Sequence, residues 1–386
     1  MKQTSKIMLA LLGAAVSGTT LCGDIKENIT AERLKMLYAL SSHHDMAHLV
    51  GFALDSEGLL FNDKISEAFG RQQMLAIYRE AGQSAALADL RTLFEAEGID
   101  YIPLKGAVLR GRYPEAWMRT GCDVDILIKP ESLERAANAL CERLGYRREG
   151  RNAHDLSLIS ADGVNVELHF NMIESDCAGN SAAVLERVWD YAELDVGKHG
   201  YRLTDEMFYF YHIAHMAKHF EHGGCGVKPF LDLWIMRRSG EGDREGREAL
   251  VAEGGLLSFA HACEALVSAW FEGAAWDSLC EDMSRYLLSA GMYGNAENKA
   301  AVGKAQKGGS LRSLLARIWV PYEVLRGHYP SLGNRRWLIP FYQMKRWTRL
   351  LSRDARKRSV EELRGSSAVS DEQTQTVAAL IERLEL

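Results

Sequence analysis

The stretch "GCDVDILIK", residues 121–129, decides the fold because it places two acidic side chains inside a run that otherwise has the pattern of a buried strand. Successive side chains of a strand point to opposite faces, so Asp123 and Asp125 share one face with Leu127. Their Cα atoms would lie about 7 Å apart, with both carboxylates directed the same way. Because parallel carboxylates repel each other, we expect a cation, a proton or a basic side chain between them.

The composition is that of a globular protein with enough apolar content for a core, at 386 residues, 47% hydrophobic and 25% charged. The net charge of -6 gives no overall attraction to nucleic acid, so we expect no stable binding of DNA. No stretch reaches the ~18 apolar residues that a membrane span needs, so we expect no membrane partner. The 7 cysteines never form a Cys-x-x-Cys pair, which favours thiols in a reducing compartment.

The N-terminal stretch permits two interpretations. Residues 1–24 contain Lys2 and Lys6, then apolar and small residues, and so resemble a secretory signal. A lipoprotein signal would place a small residue before its cysteine, but here Leu21 precedes Cys22. The second interpretation, which we prefer, is a first helix that packs on the domain and ends near Gly18.

The pattern along the chain predicts an α+β fold in which a few strands are embedded in a mostly helical chain. Residues 30–97 carry apolar side chains at helical spacing, with Thr30 as an N-cap and Gly98 as the stop. Short strands follow at 99–104 and 121–129, and a helix follows at 131–145. We therefore divide the chain into four parts, which are a helical region (1–97), a core (98–180), a second helical region (181–350) and an exposed tail with a terminal helix (351–386).

Two alternating runs around "ADG" (161–163) predict a hairpin after the helix. In the second run Asn165, Glu167 and His169 share one face, and Val166 and Leu168 lie on the other. A third acidic side chain is therefore expected inside a strand, close in sequence to the Asp pair.

This arrangement of residues has a chemical interpretation. Magnesium prefers oxygen ligands and usually takes one or two carboxylates, with waters and substrate phosphates. Three carboxylates on one sheet face, from Asp123, Asp125 and Glu167, suit a two-metal centre for Mg²⁺ or alternatively Mn²⁺. Gly106, at a strand-to-helix turn, would let phosphate approach backbone N–H groups, and Lys105 would supply a positive charge beside it.

At these residues the sequence resembles the DNA polymerase β-type nucleotidyltransferase superfamily, and more narrowly its bacterial family of uncharacterised nucleotidyltransferases. The resemblance is carried by "YIPLKGAVL" (101–109), "YP" (113–114), "MRTGCDVDILI" (118–128) and "VNVELHFNM" (164–172). It continues more weakly into "HIAHMAKHFEHGG" (212–224), "FLDLW" (230–234) and "YPSLGNRRWLIPFY" (329–342), so that it covers most of the chain.

The resemblance implies a small mixed sheet with helices, and transfer of a nucleoside monophosphate from an NTP donor to an acceptor that could be a small molecule, a protein or an RNA end. It implies that Asp123 and Asp125 are metal ligands and that Glu167 stands in the third carboxylate position. Because such an enzyme needs NTP and magnesium, we expect it to be cytoplasmic. The usual Gly-Ser turn of the superfamily is here Gly106-Ala107, which removes one hydroxyl contact to phosphate.

The stretch "YHIAHMAKHF" (211–220) carries His212, His215 and His219 at i, i+3 and i+7, so in a helix they share one face. A zinc site is one interpretation. We prefer the other, in which Lys218 and His219 face the substrate phosphates, because the resemblance extends to this segment. Asp232 could anchor that basic face or cap a loop, and the sequence does not decide between the two.

Two alternative functions remain open from the sequence. A metal-dependent glycosyltransferase also uses Asp-x-Asp to hold a nucleotide-sugar, but it would need a nucleotide-binding α/β region before that motif. A non-catalytic relative that binds a nucleotide or a partner protein is the other alternative, and the missing serine in the turn is its main support.

Overall fold

The computed structural model describes residues 3–61, 63–173, 177–240, 242–292, 294–295, 297–299, 301–302, 322, 325, 335–350 and 371–386. It shows a mostly helical chain around a seven-stranded mixed sheet, which confirms the predicted α+β class.

Helices precede the sheet in the chain, as the apolar spacing predicts. They are α1 (Gln3–Ser17), α2 (Gly23–Glu27), α3 (Ala31–His43), α4 (Ala47–Ser56) and α5 (Lys64–Glu97). The hydroxyl of Thr30 accepts a hydrogen bond from the Arg33 N–H at 3.2 Å, and Gly98 ends α5 with a positive φ of 62°. Helix α1 packs into the core through buried side chains that include Ile7, Met8 and Leu11.

The sheet is built from strands that are far apart in the chain. They are β1 (Tyr101–Pro103), β2 (Asp123–Ile128), β3 (Arg147–Arg151), β4 (Asp155–Ile159), β5 (Asn165–His169), β6 (Ala192–Val196) and β7 (Gly200–Leu203). Their order across the sheet is β3-β4-β5-β2-β1-β7-β6. The β2–β5 and β1–β7 pairs are parallel, and the others are antiparallel, including the predicted β4–β5 hairpin.

The expectation that the chain is helical from residue 181 onward is wrong, because β6 and β7 form a hairpin that extends the sheet. Its turn contains Gly197, whose φ is 66°. The Glu95 carboxylate at the end of α5 accepts hydrogen bonds from the backbone N–H groups of Lys198, His199 and Gly200 at 2.9 to 3.0 Å. The hairpin is therefore attached to the helix that precedes β1.

The other helices surround the sheet, and within the described residues none of the chain's helices is long and apolar enough to cross a membrane. They are α6 (Gly106–Leu109), α7 (Leu133–Leu144), α8 (Ser181–Leu185), α9 (Asp205–Glu221), α10 (Lys228–Arg238), α11 (Arg244–Glu253), α12 (Leu257–Phe271), α13 (Ser278–Ala290), α14 (Ile339–Leu350) and α15 (Asp371–Arg383). Leu380 and Leu384 in and after α15 are buried in the main core, so this part of the predicted tail is not exposed. Residues 351–370 of the tail lie outside the described residues.

The two faces of the sheet belong to different hydrophobic cores. Val124, Ile126 and Ile128 of β2 pack with α5 and α7 in the smaller core. Leu127, on the opposite face, belongs to the larger core that most of the helices form. The alternation predicted for this strand is confirmed, and it places Asp123 and Asp125 on the face of Leu127.

Candidate active site

The register of two central strands brings the predicted acidic residues together. In the parallel pair β2–β5, Asp125 lies opposite Glu167 and Asp123 lies opposite Asn165. Because partner residues in a sheet point to the same face, the carboxylates of Asp125 and Glu167 emerge side by side. Leu127 lies opposite His169, so this histidine emerges on the same face as well.

Asp125, Glu167 and His169 form a compact cluster, in which one possible ligand atom from each lies within 4.8 Å of the others. His169 Nε2 lies 2.9 Å from Asp125 Oδ1 and 3.7 Å from Glu167 Oε2. Asp125 and His169 are buried, whereas Glu167 is partly exposed. The cluster can hold a metal ion through two carboxylate oxygens and an imidazole nitrogen.

Lys105 supplies the basic side chain that two neighbouring carboxylates require. Its Nζ donates a hydrogen bond to Asp125 Oδ1 at 2.9 Å, and His169 Nε2 lies 2.9 Å from the same oxygen. Lys105 also has a φ of 42° and a ψ of -118°, an unfavourable backbone conformation for a residue with a Cβ. The strained residue of the turn is thus Lys105, and Gly106 follows it as the first residue of α6.

The electrostatics of the cluster differ from one carboxylate to the next. Burial alone would raise the pKa of Asp125, but Lys105 and His169 hold that pKa well below its usual range. Burial, together with the negative charges of Asp125 and Asp123, raises the pKa of Glu167 to about 7. Burial opposes the charge of Lys105, yet Tyr211, Asp125 and Glu167 together raise its pKa above the usual value. Of Asp125 and Glu167, Glu167 is therefore the carboxylate whose charge is less compensated.

Asp123 lies at the start of β2, outside the cluster of three. Its Oδ1 accepts a hydrogen bond from Asn165 Nδ2 at 2.7 Å, and the residue is half-buried. It shares a sheet face with Asp125, as predicted, but it is bound by a neutral side chain instead of a basic one.

The turn before α6 offers fewer backbone donors than the sequence suggested. The N–H groups of Ala107 and Val108 donate to the carbonyls of Leu104 and Lys105 at 3.0 and 3.1 Å. These two amides are already used within the turn. Side chains near Gly106 are therefore the more available hydrogen-bond donors.

Helix α9 brings the predicted basic residues to a neighbouring place. His215 and Lys218 line a small cleft together with Tyr211, and the His219 ring packs edge-to-face on His215 with centroids 4.4 Å apart. Burial lowers the pKa of His215 well below the usual value, and the charge of Lys105 lowers it further, which relates this cleft electrostatically to the acidic cluster.

The histidines of α9 do not support a zinc site. His212 Nε2 lies 2.9 Å from the carbonyl oxygen of Pro229, where the ring forms a structural hydrogen bond. Among the described residues, the group of side chains arranged for a metal is the one of Asp125, Glu167 and His169.

The open question about Asp232 is answered by the loop that leads into β2. Asp232 is almost fully buried, and its carboxylate accepts hydrogen bonds from Arg119 Nε at 2.9 Å and from the Tyr113 hydroxyl at 2.7 Å. It therefore anchors the "YP" and "MRTG" segments. Sequence reasoning noted these segments as motifs but did not assign Tyr113 or Arg119 a role.

A second ion pair, between buried Lys228 and half-buried Asp45, contacts the same loop. Lys228 Nζ lies 2.5 Å from Asp45 Oδ2 and donates to the Thr120 hydroxyl at 3.0 Å. His48 Nε2 lies 2.9 Å from the carbonyl oxygen of Met118. Asp45, His48 of α4 and Lys228 of α10 thereby hold the segment that leads into β2.

The fold and the site define a class of α+β proteins that carry an acidic, metal-capable cluster on adjacent parallel strands of a mixed sheet. Within that class the chain belongs to the family described as "Uncharacterised nucleotidyltransferase", which matches residues 30–272. The family predicted from the motifs is confirmed, and the wider superfamily remains a prediction.

Other comparisons are more distant. Among solved structures, the chain is similar to the antibiotic-resistance factor ANT(2'')-Ia, with 12% sequence identity and a TM-score of 0.34 over 45% of this chain and 91% of that chain. A comparison with curated proteins finds no match.

Proposed function

We propose that this protein is a magnesium-dependent nucleotidyltransferase that transfers a nucleoside monophosphate from an NTP to a hydroxyl acceptor. The observation that carries the proposal is the pairing of Asp125 with Glu167 on adjacent parallel strands, with Asp123 on the same face. Membership of a nucleotidyltransferase family supports it.

The residues present fit a divalent cation. Asp123, Asp125 and Glu167 supply hard oxygen ligands, and the pKa of Glu167 is raised by burial and by the neighbouring negative charges, which a cation would neutralise. Bound Mg²⁺, or alternatively Mn²⁺, would stabilise the charge on the phosphates of the donor during transfer.

The chain's own side chains would divide the remaining work. Lys105 holds Asp125 in place and lies where it can also contact a donor phosphate. Lys218 and His219, together with the Gly106 turn, are proposed to face the phosphates from the α9 side. The acceptor hydroxyl would lose its proton at Asp125 or Glu167, which are the carboxylates that face this space.

The partners and location follow from this chemistry. We propose an NTP donor, an acceptor that is a small molecule, a protein or an RNA end, and action in the cytoplasm, where NTP and magnesium are abundant. A glycosyltransferase is less well supported, because the described part of residues 3–97 forms helices and contains no strand of a nucleotide-binding α/β region.

The test is incubation of the protein with each α-³²P-labelled NTP and Mg²⁺ or Mn²⁺, with protein, RNA and small-molecule pools as acceptors. We expect label in one pool or on the protein itself, and no label from the γ-³²P form, which separates nucleotidyl from phosphoryl transfer. Asp123→Asn serves as the inactive control.

Calorimetry provides a second measurement, which does not require the acceptor. We expect the NTP to bind much more weakly when EDTA removes the metal. Equal NTP affinity with and without Mg²⁺ would contradict the metal site, and metal-dependent binding without transfer would favour the non-catalytic relative.

A further inference from the structure

Helix α5 buries one side and exposes the other along a seven-residue repeat. Its buried positions include four that recur at intervals of seven residues, which are Phe69, Ala76, Gln83 and Leu90. Residues that are spaced by alternating steps of four and three lie on the opposite side of such a helix. We call these residues the outer stripe of α5, and all of them are exposed: Glu67, Arg71, Met74, Tyr78, Ala81, Ala85 and Ala88.

The middle of the outer stripe carries large apolar side chains that contact solvent. Met74 is 66% exposed and Tyr78 is 74% exposed, and Leu75 and Ile77 beside them are exposed as well. Residues three and four positions apart are neighbours on a helix surface, so these four side chains form one patch. A contiguous apolar patch on a protein surface marks a place where another molecule binds.

The charges around the patch do not favour a strongly charged partner. Arg71 and Arg79 lie beside it, but so do Glu67 and Glu80. Equal numbers of positive and negative side chains give no local attraction to nucleic acid or to an anionic lipid surface. The partner of this patch must therefore fit its shape and its apolar area.

The shape of the outer stripe is complementary to itself when one copy is reversed. Its first half is bulky, with Arg71, Met74 and Tyr78, and its second half is small, with Ala81 and Ala85. In an antiparallel pair centred between Met74 and Tyr78, Met74 lies against Tyr78 of a second copy. Arg71 then lies against Ala81 of that copy, so bulky side chains meet small ones, as close helix packing requires.

Charge selects the same direction. In a parallel pair each residue lies opposite its own counterpart, so Glu67 would face Glu67 and Arg71 would face Arg71, and facing like charges are destabilising. In the antiparallel pair both residues face alanines instead. Lys64 at one end of the helix then lies close to Asp89 of the second copy, and both of these side chains are exposed.

We propose that two copies of this chain form a two-fold symmetric dimer through the outer stripes of α5, which pair in antiparallel. Leu75 and Ile77 lie next to the symmetry axis, where each meets its own counterpart and the apolar patch is covered. Gln83, on the buried side of α5, donates to the Gly121 carbonyl at 3.1 Å. The dimer face is therefore directed away from the entry of β2, and the acidic cluster stays open in both copies.

Sedimentation equilibrium of the full-length protein tests the dimer. We expect the wild type to be a dimer at micromolar concentration, and Tyr78→Glu to raise the dissociation constant at least about a hundredfold, because an unpaired carboxylate would be buried. Arg79→Glu is the matched control and should dimerise like the wild type, since Arg79 is equally exposed but turned by about 100° around the helix from Tyr78. Circular dichroism should show the same helix content in both variants.

The double variant Met74→Lys with Tyr78→Glu tests the direction of pairing. An antiparallel dimer brings a new lysine against a new glutamate twice, so we expect its dissociation constant to return to within about tenfold of the wild-type value. A parallel dimer would instead place like charges together and stay dissociated. That result would overturn the proposal, and so would a monomeric wild type or a Tyr78→Glu variant that dimerises like the wild type.

The inference does not depend on the proposed function. Dimerisation through α5 would stand even if no acceptor were ever labelled. Conversely, a monomer that transfers nucleotide would reject the dimer and leave the function intact.

Discussion

Buried charges are treated differently in the loop before β2 and on the sheet face that β2 forms. In the loop region each carboxylate has its own cation, since Asp232 is paired with Arg119 and Asp45 with Lys228. On the sheet face, among the described residues, the three carboxylates described above share Lys105 and His169 as their ion-pair partners. The ion pairs of the loop region stabilise the folded structure, whereas the excess of negative charge on the sheet face is suited to binding a cation.

Asp125→Asn should give the largest effect. Asp125 is one of the carboxylates that would bind the ligand, and it is also the ion-pair partner of Lys105. We expect transfer to fall by roughly a thousandfold or more, the scale of a lost electrostatic contribution at a reacting phosphate. We also expect a loss of up to about 3–5 kcal/mol in the free energy of unfolding, since the partly buried Lys105 would lose its partner. Urea unfolding and the labelled-NTP assay check both.

Asp123→Asn is the matched comparison for that variant. It should also lose transfer, but its stability should change little, because its hydrogen-bond partner Asn165 is neutral. If the two variants unfolded at the same urea concentration, Asp125 would have no special structural role.

Asp232→Ala tests the loop region before β2, where each carboxylate is paired with a cation. It leaves Arg119 and the Tyr113 hydroxyl buried without their acceptor, so we expect a loss of about 3–5 kcal/mol in the free energy of unfolding. Glu134→Ala is the control, because its ion pairs with Arg148 and Arg151 are exposed and should contribute less than about 1 kcal/mol. Similar losses in both variants would show that burial does not set the strength of these pairs.

His44 and His48, which lie on either side of Asp45 in the chain, should make the free energy of unfolding sensitive to acid. Burial lowers the pKa of each to about 4, so the unfolded chain binds protons near pH 6.5 that the folded protein does not. Stability is therefore full above about pH 6.5 and falls as the pH decreases toward 4. The loss at pH 4.5 should be about 2.5 kcal/mol for each histidine.

Urea unfolding at pH 7 and 4.5 measures this loss. His48→Gln, which can keep the hydrogen bond to the Met118 carbonyl, should lose less stability between the two pH values than the wild type does. An unchanged pH dependence in His48→Gln would mean that folding does not lower the pKa of His48.

Glu167→Gln should give the smallest change in stability. Removing the carboxylate whose pKa is raised by Asp125 and Asp123 relieves repulsion, so we expect the metal-free protein to gain less than about 1 kcal/mol. We expect Mg²⁺ to raise the melting temperature of the wild type and to leave that of Glu167→Gln unchanged. A variant that responds to Mg²⁺ like the wild type would place the metal elsewhere.

The sheet face could be predicted from the sequence because it depends on local patterns. Alternation in residues 121–129 and 164–170 put Asp123, Asp125 and Glu167 on one face, and parallel pairing then brought two of them together. The hairpin β6–β7 was missed although Ala192, Leu194 and Val196 alternate with Glu193 and Asp195. This alternation is short, and it marks no buried face, because β6 is largely exposed.

The ion-pair partners of the buried carboxylates could not be predicted, because these pairs join distant parts of the chain. Arg119 and Asp232 are separated by 113 positions, and no local pattern specifies such a pair. The choice of Lys105 as the cation for Asp125 was one of three possibilities that the sequence left open. It depends on a turn in which Lys105 itself adopts a positive φ, which a Lys-Gly sequence would be expected to assign to glycine.

The position of β1 in the sheet has a consequence for dividing this protein into fragments. β1 has β2 on one side and β7 on the other, where Tyr101 pairs with Gly200 and its N–H donates to the His199 carbonyl at 3.0 Å. A fragment ending at residue 180 would leave β1 as an open edge, and such edges recruit strands from other molecules and promote aggregation. The shortest fragment in which the β6–β7 hairpin still covers this edge of β1 therefore extends to Leu203.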